Sequence, residues 1–189
     1  MFGVLYTGIT WFVSLIRPFV GLFSPNIKEF LQLRKSTPTV PQGIVKYWIH
    51  AASLGEYEMA VPLIEKLLEK HKLKDILITV FSPSGYTQAS KGPYASRVMY
   101  LPIDTKGNAQ KFYATYLPQK AVFIRYDFWY NFIKQGQKLD IPFYLVNGRF
   151  QKKHFIFKWY GKPYYKLLQN FEGIFTSDFS ISTPVADTR

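Results

Sequence analysis

Cysteine is absent from all 189 residues. The chain therefore has no disulfide framework, no thiolate nucleophile and no cysteine-based metal site. Its histidines are His50, His71 and His154, whose spacing matches no metal-ligand set, so each reads as structural or solvated. Acidic residues are scarce, 12 against 24 Lys and Arg, and the formal charge is +12. Such an excess favours anionic partners: phosphorylated substrates, nucleic acid or an acidic membrane face. No internal repeat and no low-complexity tract is present. Neither a G-x-G-x-x-G after the first expected strand nor a P-loop occurs, so a dinucleotide or ATP fingerprint is missing. No cofactor and no metal is expected.

The longest apolar tract falls short of a clear membrane span. Residues 1–16 carry no charge, Arg17-Pro18 interrupts, and residues 19–23 continue the tract. A full span needs ~20 apolar residues, so this one is borderline. It lacks a basic leader and a small-residue cleavage site, which argues against a cleaved signal peptide. Lys28, Arg34 and Lys35 follow it, as on the cytoplasmic side of an anchor. Residues 1–35 are thus expected to be an anchor or interfacial helix with a basic flank. Packing of an amphipathic helix on its own domain is the other reading.

What is present is organised around Tyr47-Trp48-Ile49-His50-Ala51-Ala52-Ser53-Leu54-Gly55-Glu56. Residues 44–50 suit a strand. Ala51, Ala52, Ser53 and Gly55 are too small to build core, and they leave open space at the carboxyl end of that strand, where ligands bind in open α/β sheets. Ser53 can cap the following helix, with Glu56 three residues on, the capping-box spacing. Glu56 therefore has two readings: a helix cap, or a carboxylate at the mouth of a crevice.

Residues 36–43 read as a linker. After them strands and helices alternate. Strands are expected at 75–81, 97–101, 121–124, 142–146 and 173–176. Helices are expected at 56–70, 86–91, 108–117, 128–139 and, with a break near Gly161-Lys162-Pro163, 152–169; residues 82–85 read as a turn. Alternation of this kind predicts an α/β fold, a Rossmann-like parallel sheet with helices on both faces, over residues 36–177. Residues 178–189 show no strong pattern. The polar residues collect where strands end: Ser53, Gly55 and Glu56; Ser82, Ser84 and Gly85; Asp104; Arg125 and Asp127; Asn147 and Arg149. In a doubly wound sheet these positions share one edge.

Five stretches in register carry a resemblance: His50 with the small-residue turn to Glu56, residues 79–85, Leu101-Pro102-Ile103-Asp104, Phe128-Trp129-Tyr130-Asn131, and Asn147-Gly148-Arg149. Over roughly residues 5–177 the chain resembles the amino-terminal half of bacterial 3-deoxy-D-manno-octulosonic acid (Kdo) transferases. The resemblance implies half of a GT-B fold, whose amino-terminal domain receives a lipid A precursor and whose carboxyl-terminal domain binds the CMP-Kdo donor. It implies an inverting transferase of lipopolysaccharide biosynthesis at the cytoplasmic face of the inner membrane. The glutamate of the family's S-x-G-E motif, its general base, falls on Glu56. Acceptor binding is then expected of Ser53, Gly55, Ser84, Gly85, Asp104, Asp127, Asn131, Asn147 and Arg149.

The chain also departs from the family pattern. Where the family shows E-T-E-x-W-P-N, this chain has Arg125-Tyr126-Asp127-Phe128-Trp129-Tyr130-Asn131, and Gln151 and His154 replace the usual serines. No donor domain is expected within these residues, so the chain alone is expected to be catalytically incomplete. The alternative is a non-catalytic basic module for anionic lipid or RNA, with the run Lys152-Lys153-His154-Phe155 and Lys158-Trp159-Tyr160 stacking on bases. The same run also fits a helix with an aromatic core face and a solvated basic face. Five motifs in register favour the transferase and set nucleic acid second.

Overall fold

The structure is a computed structural model that describes residues 6, 8, 10, 34, 40–125, 128–150, 155–158 and 161–176. Six strands form one parallel sheet: β1 (Tyr47–Ala51), β2 (Ile76–Val80), β3 (Val98–Tyr100), β4 (Lys120–Ile124), β5 (Phe143–Gly148) and β6 (Gly173–Thr176). Their order is β3-β2-β1-β4-β5-β6. The chain works outward from β1 to β3, then returns to the other side of β1 as β4. The strand order therefore reverses between β1 and β4, the place where an open α/β sheet leaves a crevice beyond its carboxyl ends.

Helices cover both faces: α1 (Leu54–Leu68), α2 (Pro83–Ala89), α3 (Lys106–Tyr116), α4 (Tyr130–Gln137) and α5 (Lys162–Leu168). A parallel strand between two helical layers is apolar on both sides, and all five residues of β2 are buried. Successive side chains point to opposite faces. Ile49, Ile78 and Val122 thus join Tyr57, Ala60 and Ile64 of α1 and Ala89 of α2 in one core layer. Trp48, Leu77 and Phe123 face the other way and meet Phe112, Phe132 and Leu168 from α3, α4 and α5. Trp48 centres that second layer, its ring 4.6 Å from Phe112, 5.2 Å from Phe123 and 5.9 Å from Phe132. Its indole N–H donates to Thr79 Oγ1 at 2.8 Å. The same hydroxyl lies 2.8 Å from His50 Nδ1, so His50 is a buried structural residue, as its spacing implied.

Element types agree with the sequence, and several boundaries move for identifiable reasons. Residues 82–85 are not a free turn: Ser82 caps α2, and Pro83 takes the first helical position, where its missing N–H costs nothing. The helix expected at 128–139 is shorter, because Phe128 is drawn into the core and the chain turns helical only at Tyr130. The long aromatic stretch divides into a 3-10 turn (Phe155–Phe157) and α5. Residues 151–154, 159–160 and 178–189 lie outside the described residues, as do all of 1–35 except Tyr6, Gly8, Thr10 and Arg34.

Gly136 sets how closely α4 can approach β5. A Cβ there would lie 2.5 Å from Phe143 Cζ and 2.5 Å from the Tyr113 hydroxyl. Alanine would favour the helix by about 1 kcal/mol, but overpacking a filled core costs roughly 1–3 kcal/mol, more where backbone must shift. Gly136→Ala should therefore lower the urea unfolding midpoint. A midpoint at or above the parent's would show that this contact can relax.

Candidate functional site

The turn after β1 is closed by its own hydrogen bonds. Ser53 adopts an extended conformation and caps α1, its hydroxyl accepting from Glu56 N at 3.4 Å. Glu56 Oε2 accepts in return from Ala52 N at 2.7 Å and Ser53 N at 3.3 Å. The capping box is thus formed, and it holds the Glu56 carboxylate, buried, at the carboxyl edge of the central strand. Gly55 is exposed beside it, with no atom within 4 Å of where a Cβ would stand. The small residues do leave space here.

The second strand end is fastened to the first. The Ala52 carbonyl accepts from Phe81 N at 3.2 Å and Ser82 N at 2.8 Å. Ser82 Oγ accepts from Gly85 N at 3.1 Å and lies 3.3 Å from the exposed Ser84 hydroxyl. At Gly85 a Cβ would come within 3.2 Å of both Leu54 N and the Ser53 carbonyl carbon. Glycine therefore lets α2 lean against the first turn of α1. From the other side Asn147, left-handed at φ 58°, donates its amide to Met59 Sδ at 2.9 Å. Met59 lies one helical turn beyond Glu56, so the end of β5 reaches over β4 to α1. Arg149 is exposed two residues further on. Ser53, Gly55, Glu56, Ser84, Gly85, Asn147 and Arg149 therefore share one edge, as expected from the strand ends. Asp127 lies outside the described residues.

Asp104 and Asn131 stand at the same edge but point inward, only 2 % and 7 % exposed. Asp104 Oδ1 accepts from Asn131 N and Phe132 N, each at 3.1 Å, and Oδ2 accepts from the Tyr6 hydroxyl at 2.7 Å. The Asn131 amide donates to the Asp104 carbonyl at 2.7 Å. Trp129, the residue before α4, supplies no side-chain cap, so the Asp104 carboxylate, 27 residues before Asn131, caps that helix instead. Burial pushes the Asp104 carboxyl up to about 6, against the opposing pull of the Tyr6, Asn131 and Phe132 hydrogen bonds and the His50 ring. Burial and the neighbouring Asp104 likewise raise the Tyr6 hydroxyl, and burial pushes Tyr164 up to about 12. The Asp104–Asn131 pair thus fixes the start of α4.

Arg34 and Trp129 carry structure that sequence reasoning did not assign to them. The Arg34 guanidinium donates to the Phe81 carbonyl at 3.3 Å and to the Leu101 carbonyl, and it lies 4.7 and 4.8 Å above the Phe81 and Tyr100 rings. It thereby ties the end of β2 to the end of β3. Trp129 packs on Phe81 at 4.5 Å and on His50 at 5.5 Å. Trp129 had a signal in the motif it belongs to; Arg34 had none. Among the described residues no group of His, Asp or Glu could hold a metal ion, and no helix is long and apolar enough to cross a membrane.

Residues 25–180 match the family described as 3-deoxy-D-manno-octulosonic-acid transferase (kdotransferase). The chain belongs to this family. It is 31% identical over 160 residues to a 3-deoxy-D-manno-octulosonic acid transferase of Haemophilus influenzae, covering 79% of this chain and 36% of that protein. A protein of the same name from Chlamydia pneumoniae is 31% identical over 157 residues, covering 80% and 36%. A probable mitochondrial 3-deoxy-D-manno-octulosonic acid transferase of Arabidopsis thaliana is 29% identical over 140 residues, covering 74% and 30%. The chain thus spans about a third of the length of the Kdo transferases it matches. The family match takes in every strand of the sheet and each of the edge residues above.

Asp104 makes the stability of this domain depend on pH in an unusual direction. Its folded value of about 6 lies above the ordinary 3.8, so the folded chain holds the proton more tightly than the unfolded chain. The stability gained is complete below about pH 4 and is lost as pH rises through about 6, on the order of 3 kcal/mol in all. Asparagine can keep both backbone donors on its oxygen without titrating. Subtracting an Asp104→Asn melting series from the parent's, between pH 4 and 7, should therefore leave a falling curve centred near pH 5. A flat difference would place the carboxyl at its ordinary value.

Proposed function

We propose that this domain is the acceptor half of an enzyme that transfers Kdo from CMP-Kdo to a lipid A precursor in lipopolysaccharide biosynthesis. The reading rests on one observation: in a chain of this family, Glu56 is held by two backbone N–H groups at the mouth of the crevice between β1 and β4. The names of the relatives supply the sugar. A GT-B partner domain facing this edge would present CMP-Kdo to an acceptor bound here.

In this scheme Glu56 is the general base. The acceptor hydroxyl gives its proton to the carboxylate as its oxygen bonds to the anomeric carbon, and CMP leaves with the electrons of the broken bond, inverting that centre. The capping box fixes the direction of the carboxylate in advance, which is what positioning requires. Ser53, Gly55, Ser84, Gly85 and Asn147 would line the acceptor's path, and Asp127 would join them in binding it. Arg149 would meet an acceptor phosphate. Asp104 and Asn131 would set α4 behind them. Residues 1–35 would hold the domain at the cytoplasmic face of the inner membrane, with its positive surface toward anionic lipid.

The test separates base from cap. Residues 1–176 would be joined to the carboxyl-terminal half of the Haemophilus influenzae relative, and Kdo transfer from CMP-Kdo measured at saturating acceptor. Glutamine at position 56 can serve a capping box but cannot take a proton. Glu56→Gln should cut turnover by ~10²–10⁴-fold with acceptor affinity and melting temperature little changed. Near-normal turnover would remove Glu56 from the chemistry and make Asp127 the next carboxylate to test.

A further inference from the structure

The helices α4 and α5 lie side by side over the sheet face opposite α1. Between them runs a groove of about 580 Å³. Lys134 and Lys138 line it from one helix and its end, Lys162 and Lys166 from the other. Within each pair the residues are four apart, so the two ammonium groups stack along one side of the helix. All four lysines are exposed, and among the described residues no Asp or Glu belongs to the lining. Like charges at this spacing destabilise a helix, and here two such pairs face a single concavity.

A lysine-bearing surface is usually just the solvated side of a helix. Three features set this one apart. The concavity is of ligand size, within the ~300–1,000 Å³ common for small-molecule sites. Its wall is part aromatic and apolar, with Tyr130 and Leu167 in the lining and Lys134 Nζ 5.5 Å from the Tyr130 ring centre. It is also preformed, because Gln137 donates to the Leu167 carbonyl at 2.8 Å and fixes the helices to each other. Lysine ammonium groups are compact point charges that suit phosphate oxygens approached from several directions, and a cleft of one sign concentrates such anions.

We propose that this groove binds a phosphate-bearing anion of two or more negative charges, at a site separate from Glu56 and on the other face of the sheet. The group would sit among the four ammonium ions, with the Tyr130 ring against its carbon skeleton. It comes either from a soluble diphosphate or from the headgroup of an anionic lipid. The proposal does not depend on Glu56 acting as a base.

The experiment uses the 189-residue chain, a groove variant (Lys134→Gln with Lys166→Gln) and a charge-matched control (Lys91→Gln with Lys111→Gln). Both variants replace exposed lysines, so both should fold, and the groove variant should melt no lower than the parent once like-charge repulsion is relieved. In the first arm inorganic pyrophosphate is titrated by calorimetry and by thermal melting. In the second, vesicles of phosphatidylglycerol and of phosphatidylcholine are compared by cosedimentation. Saturable pyrophosphate binding is expected in parent and control and about 30-fold weaker in the groove variant. If phosphatidylglycerol association falls with it, a lipid headgroup is the source; if that association is unchanged, a soluble phosphate is. The proposal is overturned if neither probe binds in a way that the groove variant loses and the control keeps.

Discussion

A parallel sheet sealed between two helical layers has nowhere to put a polar side chain except at the ends of its strands. That constraint governs the whole domain. The faces of β1, β2 and β4 are apolar on both sides, and the one polar pair within them, His50 and Thr79, is neighbouring in register and joined by a hydrogen bond. Of the groups the sheet itself presents, those able to touch a ligand are displaced to the loops at its strand ends. Because the strands are parallel, those loops gather at one edge, and the strand reversal between β1 and β4 opens that edge at Glu56.

The same constraint explains what could be read from the sequence. Strands buried on both faces appear as short apolar runs, and amphipathic helices appear between them, so element types and order were legible. The small residues from Ala51 to Gly55 announced a turn with space beside it, and the capping-box spacing announced how it closes. Both features are local. What stayed hidden depends on partners far away in the chain. Asp104 stood out as a polar residue at a strand end, and its part in capping a helix that starts 26 residues later did not show. Arg34 looked like a basic flank, but its bonds go to carbonyls 47 and 67 residues away. Ser82 was placed in a turn because a seven-residue helix gives little periodicity to recognise.

Capping and base catalysis at Glu56 are compatible. A cap needs a carboxylate oxygen fixed over the first turn. A base needs a carboxylate that does not wander when its substrate arrives. One geometry satisfies both, and the cost of ordering the side chain is met on folding rather than on binding. Gly85 extends this coupling. It brings α2 against the turn that holds Glu56, so the first two loops of the edge are one rigid piece.

The caps have a further effect on how this edge treats charge. Ser53, Ser82, Thr105 and Asp104 each accept a hydrogen bond from a leading N–H of α1, α2, α3 or α4. Four helices aim their positive ends at the crevice, and each already commits at least one of its leading donors to a side chain of the same protein. The backbone has therefore turned much of its attraction for anions inward. Recognition of a negative group at this edge falls to cationic side chains, which can be added or removed one at a time without unravelling a helix. The scaffold can thus stay constant while the charge of its preferred ligand changes.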